Sequence, residues 1–516
     1  MNFLFDPGKK IIASVMVVCL LFVGCTKDFD AINTDPRLVT AKVANPLLIF
    51  TKVQKESVFN LMGLDGRLEV YSGYTGNGAL GNILAKGALG NILAKGPWDA
   101  PFGGFYTNYI INISEVIRLS EGDPSLTSLN TFARIWKVWL FSRLTDLYGD
   151  IPYFDAAKGV DEAVVLPRYD TQKDIYEDLF KELKESVAVL KADNGTQKAI
   201  GTQDLIYGGN TEAWIRFANS LRFRLAMRVR YVDPALASSN INDVIGDLLI
   251  VENTQNAKLI AGDAAHVSQE NKNPYYNSIP GGAKEFRWAS FTMVETLTSL
   301  NDPRIDIFIK KTTAGDYFGL FLSLSTPEKE VFSGRPQSEL GEIIWRSDFT
   351  FKIINTSEVY FLKAEAALKG IITEDANALY VEGIRKSLQY YNVPEPDIID
   401  YLASPAGTLT GTDEEKLEQI IVQKWLANYY QIDEAYAEFR RTGYPRLYTG
   451  SAISDTDGEI PRRLQYPLSE FNSNGANLEQ AAQRLSNGDA LTSRIWWDAN
   501  PGVPKHHPQQ GVFPPL

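Results

Sequence analysis

Apolar residues return at helical spacing over much of this chain, and strand-like alternation is rare. From Asn130 to Leu147 they fall at Phe132, Ile135, Trp136, Trp139, Leu140, Leu144 and Leu147, the i, i+3, i+4 stripe of a half-buried helix. Between Thr171 and Leu190 the stripe is Ile175, Leu179, Leu183, Val187 and Leu190, with Lys and Glu between. Between Thr211 and Val229 it is Trp214, Phe217, Leu221, Leu225 and Val229. An earlier helix is predicted from about Pro46 to Leu61. Ser357–Lys369 and Asp375–Tyr391 predict a helix pair parted at Gly370, where Ala364, Ala367, Ala378 and Gly383 let two axes approach. That unit spans 35 residues, against roughly 34 for a tetratricopeptide repeat. The last long helix opens at Thr412, where Glu415 completes a capping box. It runs through Leu417, Ile421 and Trp425 towards Tyr430, and Ala435–Arg441 adds a further turn or two. The expected fold class is all-α, a tetratricopeptide-like scaffold of helix pairs.

Irregular stretches interrupt that scaffold. Gly63–Gly104 is rich in Gly and Tyr with little periodicity, and inside it Gly78–Lys86 is repeated residue for residue as Gly87–Lys95. Solenoid periods run to roughly 20–50 residues, so this nine-residue doublet reads as a local duplication lengthening one loop. Gly262–Trp288 and Thr313–Gly341 are dense in Asn, Gly, Pro and aromatics. Glu342–Trp345 alternates briefly like a strand, and the Pro-rich tail Asp498–Leu516 is expected to be extended. Loops this long inside a compact domain are as a rule functional.

The amino terminus changes the setting. Lys9 and Lys10 precede Ile11–Val23, thirteen uncharged and mostly aliphatic residues. That run falls short of the roughly 20 a membrane helix needs and has the form of a secretory signal's apolar core. Leu21-Phe22-Val23-Gly24-Cys25 resembles a bacterial lipobox. The expected organisation is a lipoprotein signal peptide over 1–24, lipidation at Cys25 and a polar tether over 25–40. A single helical domain then fills 41–516, with loop-rich ligand regions at about 63–106 and 262–341. Two or more acyl chains on Cys25 give stable anchoring.

Composition removes several classes of function. Cys19 and Cys25 are the only cysteines; one leaves with the signal and the other carries lipid, so no thiol remains for a disulfide, a metal or a nucleophile. A net charge of −12 without a long basic run argues against nucleic acid or an anionic surface as main partner. It also weakly disfavours a highly sulfated or uronic-acid-rich ligand. His266, His506 and His507 are the only histidines, and the metalloprotease, zinc-cluster and nucleophile-elbow motifs are missing. Gly76–Gly81 matches G-x-G-x-x-G without the βαβ context a dinucleotide site requires. Asp455–Glu459 hints at a cation loop, but Tyr466 stands where that loop's Glu belongs, and a plain turn is the reading. Nothing singles out a pair of carboxylates for glycoside hydrolysis. No catalytic residue, metal ligand or cofactor is expected, and the chain is read as not an enzyme.

Several ordered stretches carry a resemblance. They are Asp28-Phe-Asp-Ala-Ile-Asn-Thr-Asp-Pro36 after the lipobox, Leu144-Thr-Asp-Leu-Tyr-Gly-Asp-Ile-Pro-Tyr153, and Pro167-Arg-Tyr-Asp-Thr-Gln172. Further on stand Asp204–Asn210 before Trp214–Arg222, then Glu438-Phe-Arg-Arg-Thr-Gly-Tyr-Pro445 and Pro461–Pro467. Together they resemble the SusD/RagB family of nutrient-binding outer-membrane lipoproteins of Bacteroidota-type bacteria. The resemblance implies an all-α body of four tetratricopeptide-like helix pairs with a loop-built ligand region. It implies a lipid-anchored location at the cell surface and a SusC-type TonB-dependent β-barrel transporter as partner. The function implied is non-catalytic capture of a glycan, or in some relatives a peptide, for import. The alternative is a peptide-binding or purely structural helical-repeat adaptor of the same transporter complex. The quoted residues are mostly scaffold, with Asp146 and Tyr148 expected to pack and cap.

Candidate contacts follow from the chemistry of sugars. Aromatic rings stack on their C–H faces, and a few placed polar groups satisfy their hydroxyls. One loop segment mixing both holds Tyr71, Tyr74, Asn77, Trp98, Asp99, Phe105 and Tyr106. A second holds Asn273, Tyr275, Tyr276, Asn277, Arg287 and Trp288, and a third surrounds Asp316, Tyr317 and Phe318. The predicted ligand-binding set is Trp98, Trp288, Tyr275, Tyr276, Arg287, Tyr74, Asn77, Asp99 and Tyr71, with Trp98, Tyr275 and Trp288 foremost.

Overall fold

Capping chemistry sets where the long helices begin. The computed structural model describes residues 44–60, 66–77, 99–158, 162–192, 197–262, 271–279, 287–321, 330–332, 334–448, 456 and 459–505. Thr171, Asn210, Asn355 and Asp375 each accept a hydrogen bond from the backbone N–H three residues on, an arrangement worth about 1 kcal/mol per helix. Thr412 and Glu415 form both halves of the expected capping box. At the far ends, Gly443 (φ +82) and Gly370 (φ +67) take the left-handed conformation that turns the chain away.

The principal helices are α1 (Pro46–Phe59), α2 (Gly66–Tyr71), α3 (Ile111–Ser120), α4 (Thr127–Tyr148), α5 (Gln172–Lys191), α6 (Thr211–Val229) and α7 (Pro234–Ile245). They continue as α8 (Phe291–Ser299), α9 (Thr356–Leu368), α10 (Ala376–Tyr390), α11 (Glu395–Ala403), α12 (Asp413–Ala427) and α13 (Ile432–Thr442). Neighbours in sequence are neighbours in space: α3 packs on α4, α4 on α5, α5 on α6, α6 on α7, and α9 on α10. Two cross-links, α6 on α9 and α9 on α12, join the helix pairs into one body. Among the described residues no helix is long and apolar enough to cross a membrane. The strands are β1 (Thr75–Asn77), β2 (Ala257–Ile260), β3 (Arg287–Ala289) and β4 (Thr350–Ile354). They form two separate antiparallel ribbons, β1 with β3 and β2 with β4.

The cross-links are made by buried charge. Arg224 of α6 is bidentate on Glu358 of α9 at 2.6 Å, and Arg228, one turn on, reaches Glu434 of α13 at 2.6 Å. Arg441 sits between Glu365 (2.6 and 2.7 Å) and Glu438 (2.7 and 2.9 Å). Lys424 of α12 lies 3.1 Å from Glu438. All of these side chains are buried. Removing one partner from such a set strands an unpaired charge, at a cost of about 3–5 kcal/mol. Asp146 in α4 accepts from Tyr176 Oη (2.5 Å) and Trp497 Nε1 (2.7 Å), and Tyr148 is fully buried.

Some expectations need correction. Glu342–Trp345 is a 3-10 turn, because four residues do not distinguish a period of two from one of three. α12 ends at Ala427, before Tyr430, where the backbone turns to φ +66. Helices α3, α7, α8 and α11 stand in addition to those expected. Cys25, the leader and tether, the duplicated nonamer, Trp98 and all three histidines lie outside the described residues.

Two outcomes are expected. A Cβ at Gly383 would stand 2.7 Å from Phe361, so Gly383→Ala should lower stability by about 1–3 kcal/mol, read from the urea midpoint. Burial pushes the Glu434 carboxyl up, but Arg228, Arg224 and Lys424 outweigh it and hold it at about 2. Against the same penalty, Arg441 and Lys424 hold Glu438 well below its ordinary value. Carboxyls depressed in the fold contribute stability above their unfolded value. Stability followed by circular dichroism should therefore fall as pH drops from 4.5 towards about 2.

Candidate ligand-binding site

The three aromatic loop segments meet on one ribbon. After α2, Gly73 (φ +81) turns the chain into β1, which pairs with β3 in the register Thr75–Ala289, Gly76–Trp288 and Asn77–Arg287. Ser290 Oγ donates to the Gly73 carbonyl at 2.5 Å, and Ser290 N to Tyr74 O at 3.1 Å, closing the ribbon's base. The third segment joins along β3. Leu320 N donates to Ala289 O (2.8 Å) and Phe291 N to Leu320 O (2.9 Å). Behind them Phe291, Phe318, Phe321 and Phe332 form their own apolar cluster, with Phe291 stacked on Phe321 at 4.0 Å. Residues more than 200 positions apart thus share one small surface.

Alternation along β3 divides the candidates. Arg287 and Ala289 share one face and Trp288 takes the other. Under the first face lies Glu69, buried in α2. Arg287 Nε donates to it at 2.9 Å, Tyr275 Oη at 3.3 Å and Tyr430 Oη at 3.4 Å. The Arg287 guanidinium also lies 5.4 Å from the Tyr275 ring. Burial raises the Glu69 carboxyl, and Arg287 and the two phenols pull against that rise. Arg287 is therefore a positioning residue, committed to Glu69. Trp288 is half-buried, and its indole N–H and ring have no hydrogen-bond or stacking partner among the described residues. Opposite it Gly76 has no side chain, and a Cβ there would meet Leu320 at 2.7 Å.

Three predicted contacts belong instead to the interior. Tyr74 is 0% exposed, stacked on Trp425 at 5.0 Å, its hydroxyl 2.8 Å from both Trp425 O and Asn428 O and able to donate to either. Tyr71 is likewise buried, against Tyr436 at 5.6 Å, and Tyr275 packs edge-on against Tyr430 at 5.3 Å. None offers a face to a ligand; they hold the ribbon to the helices. Tyr276 is half-buried, with Lys272 Nζ 5.8 Å from its ring. Asn77 is in β1 opposite Arg287, and Asp99 opens the short helix Asp99–Gly104. Glu69 and Tyr430 escaped the sequence reading; a lone acid between Leu68 and Val70 was the available signal.

A cavity of about 890 Å³ lies elsewhere, between α8, α11, α12 and the loop at Pro445–Tyr448. None of the predicted contacts lines it. Its rings Tyr380 and Tyr401 are buried, with hydroxyls engaged on Ala406 O and Asp302. Half-buried Tyr448 also lines it, packed edge-on against Phe291 at 5.1 Å.

Residues 94–467 match the SusD-like family model, described as starch-binding and associating with the outer membrane. The chain belongs to the SusD-like family. No curated protein sequence matched it. Among solved structures it is similar to a chitin-binding protein at 27% identity and TM-score 0.75, covering 88% of this chain and 100% of that one. A chitin-binding SusD homolog from Flavobacterium johnsoniae is 26% identical at TM-score 0.71, covering 88% and 98%. A SusD homolog from Bacteroides uniformis is 26% identical at TM-score 0.73, covering 89% and 100%. SusD-like proteins are binding proteins rather than enzymes, and the family associates with the outer membrane.

Removing the buried acid tests the ribbon's support. Glu69→Ala should cost about 3–5 kcal/mol, as for one partner of a buried pair, measured by denaturant unfolding.

Proposed function

We propose that this SusD-like chain is a lipid-anchored cell-surface protein that captures an oligosaccharide against Trp288 without chemical change. It then passes the sugar to a SusC-type TonB-dependent β-barrel transporter. One observation carries the reading: three loop segments selected for sugar-binding chemistry converge on a ribbon that leaves Trp288 half-exposed and, among the described residues, unpartnered. An indole supplies an apolar face for the ring's C–H groups and an N–H donor for a hydroxyl. Trp98, one residue before the helix at Asp99, is proposed as a second stacking residue, and Tyr276 as a neighbouring contact. Cys25 would carry the lipid that keeps the domain at the membrane. Two similar structures are described as chitin-binding, so β-1,4-linked N-acetylglucosamine oligomers are the first probes.

The test uses protein lacking residues 1–25 and isothermal titration calorimetry against a panel of neutral oligosaccharides and peptides. Saturable sugar binding is expected, weakened about tenfold or more by Trp288→Ala, which corresponds to about 1.4 kcal/mol. Trp98→Ala should act in the same direction. Binding of peptides alone, or of a barrel partner alone, would favour the adaptor reading instead.

A further inference from the structure

Ribbon β2–β4 has an inner and an outer face. Leu259, Phe351 and Ile353 are buried in the core, while Lys258, Ile260, Thr350 and Lys352 line a cleft of about 430 Å³. The register sets Lys258 directly opposite Lys352, and like charges so placed destabilise a strand pair. Neither lysine has a carboxylate partner among the described residues. The Lys352 ammonium donates to Tyr391 Oη at 2.6 Å and to the Ala427 carbonyl at 2.5 Å. An ammonium has three donors, so one remains. Asp348, the acid on the cleft's lining, is bidentate on Arg346 at 2.8 and 2.7 Å. Half-buried Tyr390 lies with its ring 5.4 Å from Lys352 Nζ, and Asn392 is exposed on the lining.

On a chain of net charge −12, this cleft is a local reversal of sign: Lys258, Arg346 and Lys352 against one aspartate. Burial, with Arg304 adding to it and Glu358 opposing, pulls the Lys352 ammonium down to about 7. The register thus sets two lysines side by side with no paired carboxylate among the described residues. An anion between them would turn repulsion into two charge-assisted hydrogen bonds, the stronger kind.

We propose that the Lys258–Lys352 cleft is an anion-binding subsite for one acidic, monosaccharide-sized group, a carboxylate or sulfate held between the two ammoniums with the Tyr390 ring beside it. The subsite is built on a different ribbon from Trp288 and does not depend on the reading given to that residue. It takes a single charge rather than a densely charged polymer.

Calorimetry of the purified protein at low salt with D-glucuronate, D-glucose 6-sulfate, D-glucose and inorganic sulfate tests it. At least one of the two acidic sugars should bind, and D-glucose should not. Lys258→Ala should weaken that binding at least tenfold, and Trp288→Ala should leave it unchanged. Lys258→Glu should abolish it while raising the melting temperature, because the new carboxylate pairs with Lys352; a folded, more stable variant that fails to bind separates site loss from unfolding. Equal binding of D-glucose, indifference to both Lys258 variants, or binding of inorganic sulfate alone would overturn the proposal. So would lysine-dependent sedimentation with phosphatidylglycerol vesicles in the absence of acidic-sugar binding.

Discussion

Charge buried between helices is the constraint on which this structure depends. Arg224, Arg228, Lys424 and Arg441 enter the core from α6, α12 and α13 and meet Glu358, Glu365, Glu434 and Glu438 from α9 and α13. Each ion gives up its hydration on burial, a penalty of several kcal/mol that close pairing must offset. Sliding any of these helices by one residue would leave charges unpaired in the interior, so the register of four helices is set together.

That register also places both ribbons, because both are attached where α12 ends. The Tyr74 hydroxyl sits between the carbonyls of Trp425 and Asn428, Tyr430 reaches Glu69 beneath Arg287, and Lys352 donates to Ala427 O. The stretch from Trp425 to Tyr430 is thus a common anchor for β1–β3 and β2–β4. The two ribbons are alike in build and opposite in chemistry. One carries half-buried Trp288 on the face away from Glu69; the other sets Lys258 opposite Lys352. Short strands on a rigid helical body can hold such side chains without a large sheet to support them.

The helices were legible because their signals are local. The stripe from Phe132 to Leu147, the cap at Thr171 and the box at Thr412 each need a few neighbouring residues to act, and each element's ends lie within three residues of their expected places. Gly383 was legible as a close approach for the same reason, and Phe361 is what it approaches. Helices α3 and α11, of ten and nine residues, were not anticipated.

Loop segments mixing aromatic and polar residues could be located in the sequence but not resolved within. Tyr71, Tyr74, Tyr275 and Trp288 are equivalent to a reader of composition, because a loop has no period to say which ring points inward. Burial of the three tyrosines is decided by Trp425, Tyr430 and Tyr436, residues more than 150 positions away. The opposition of Lys258 and Lys352 is likewise a matter of strand register, set by pairing across some ninety residues. Periodicity and caps act over a turn or two of chain and so settled the helical scaffold. Which side chains face a ligand depends on long-range packing, and that was settled only when the distant segments came together.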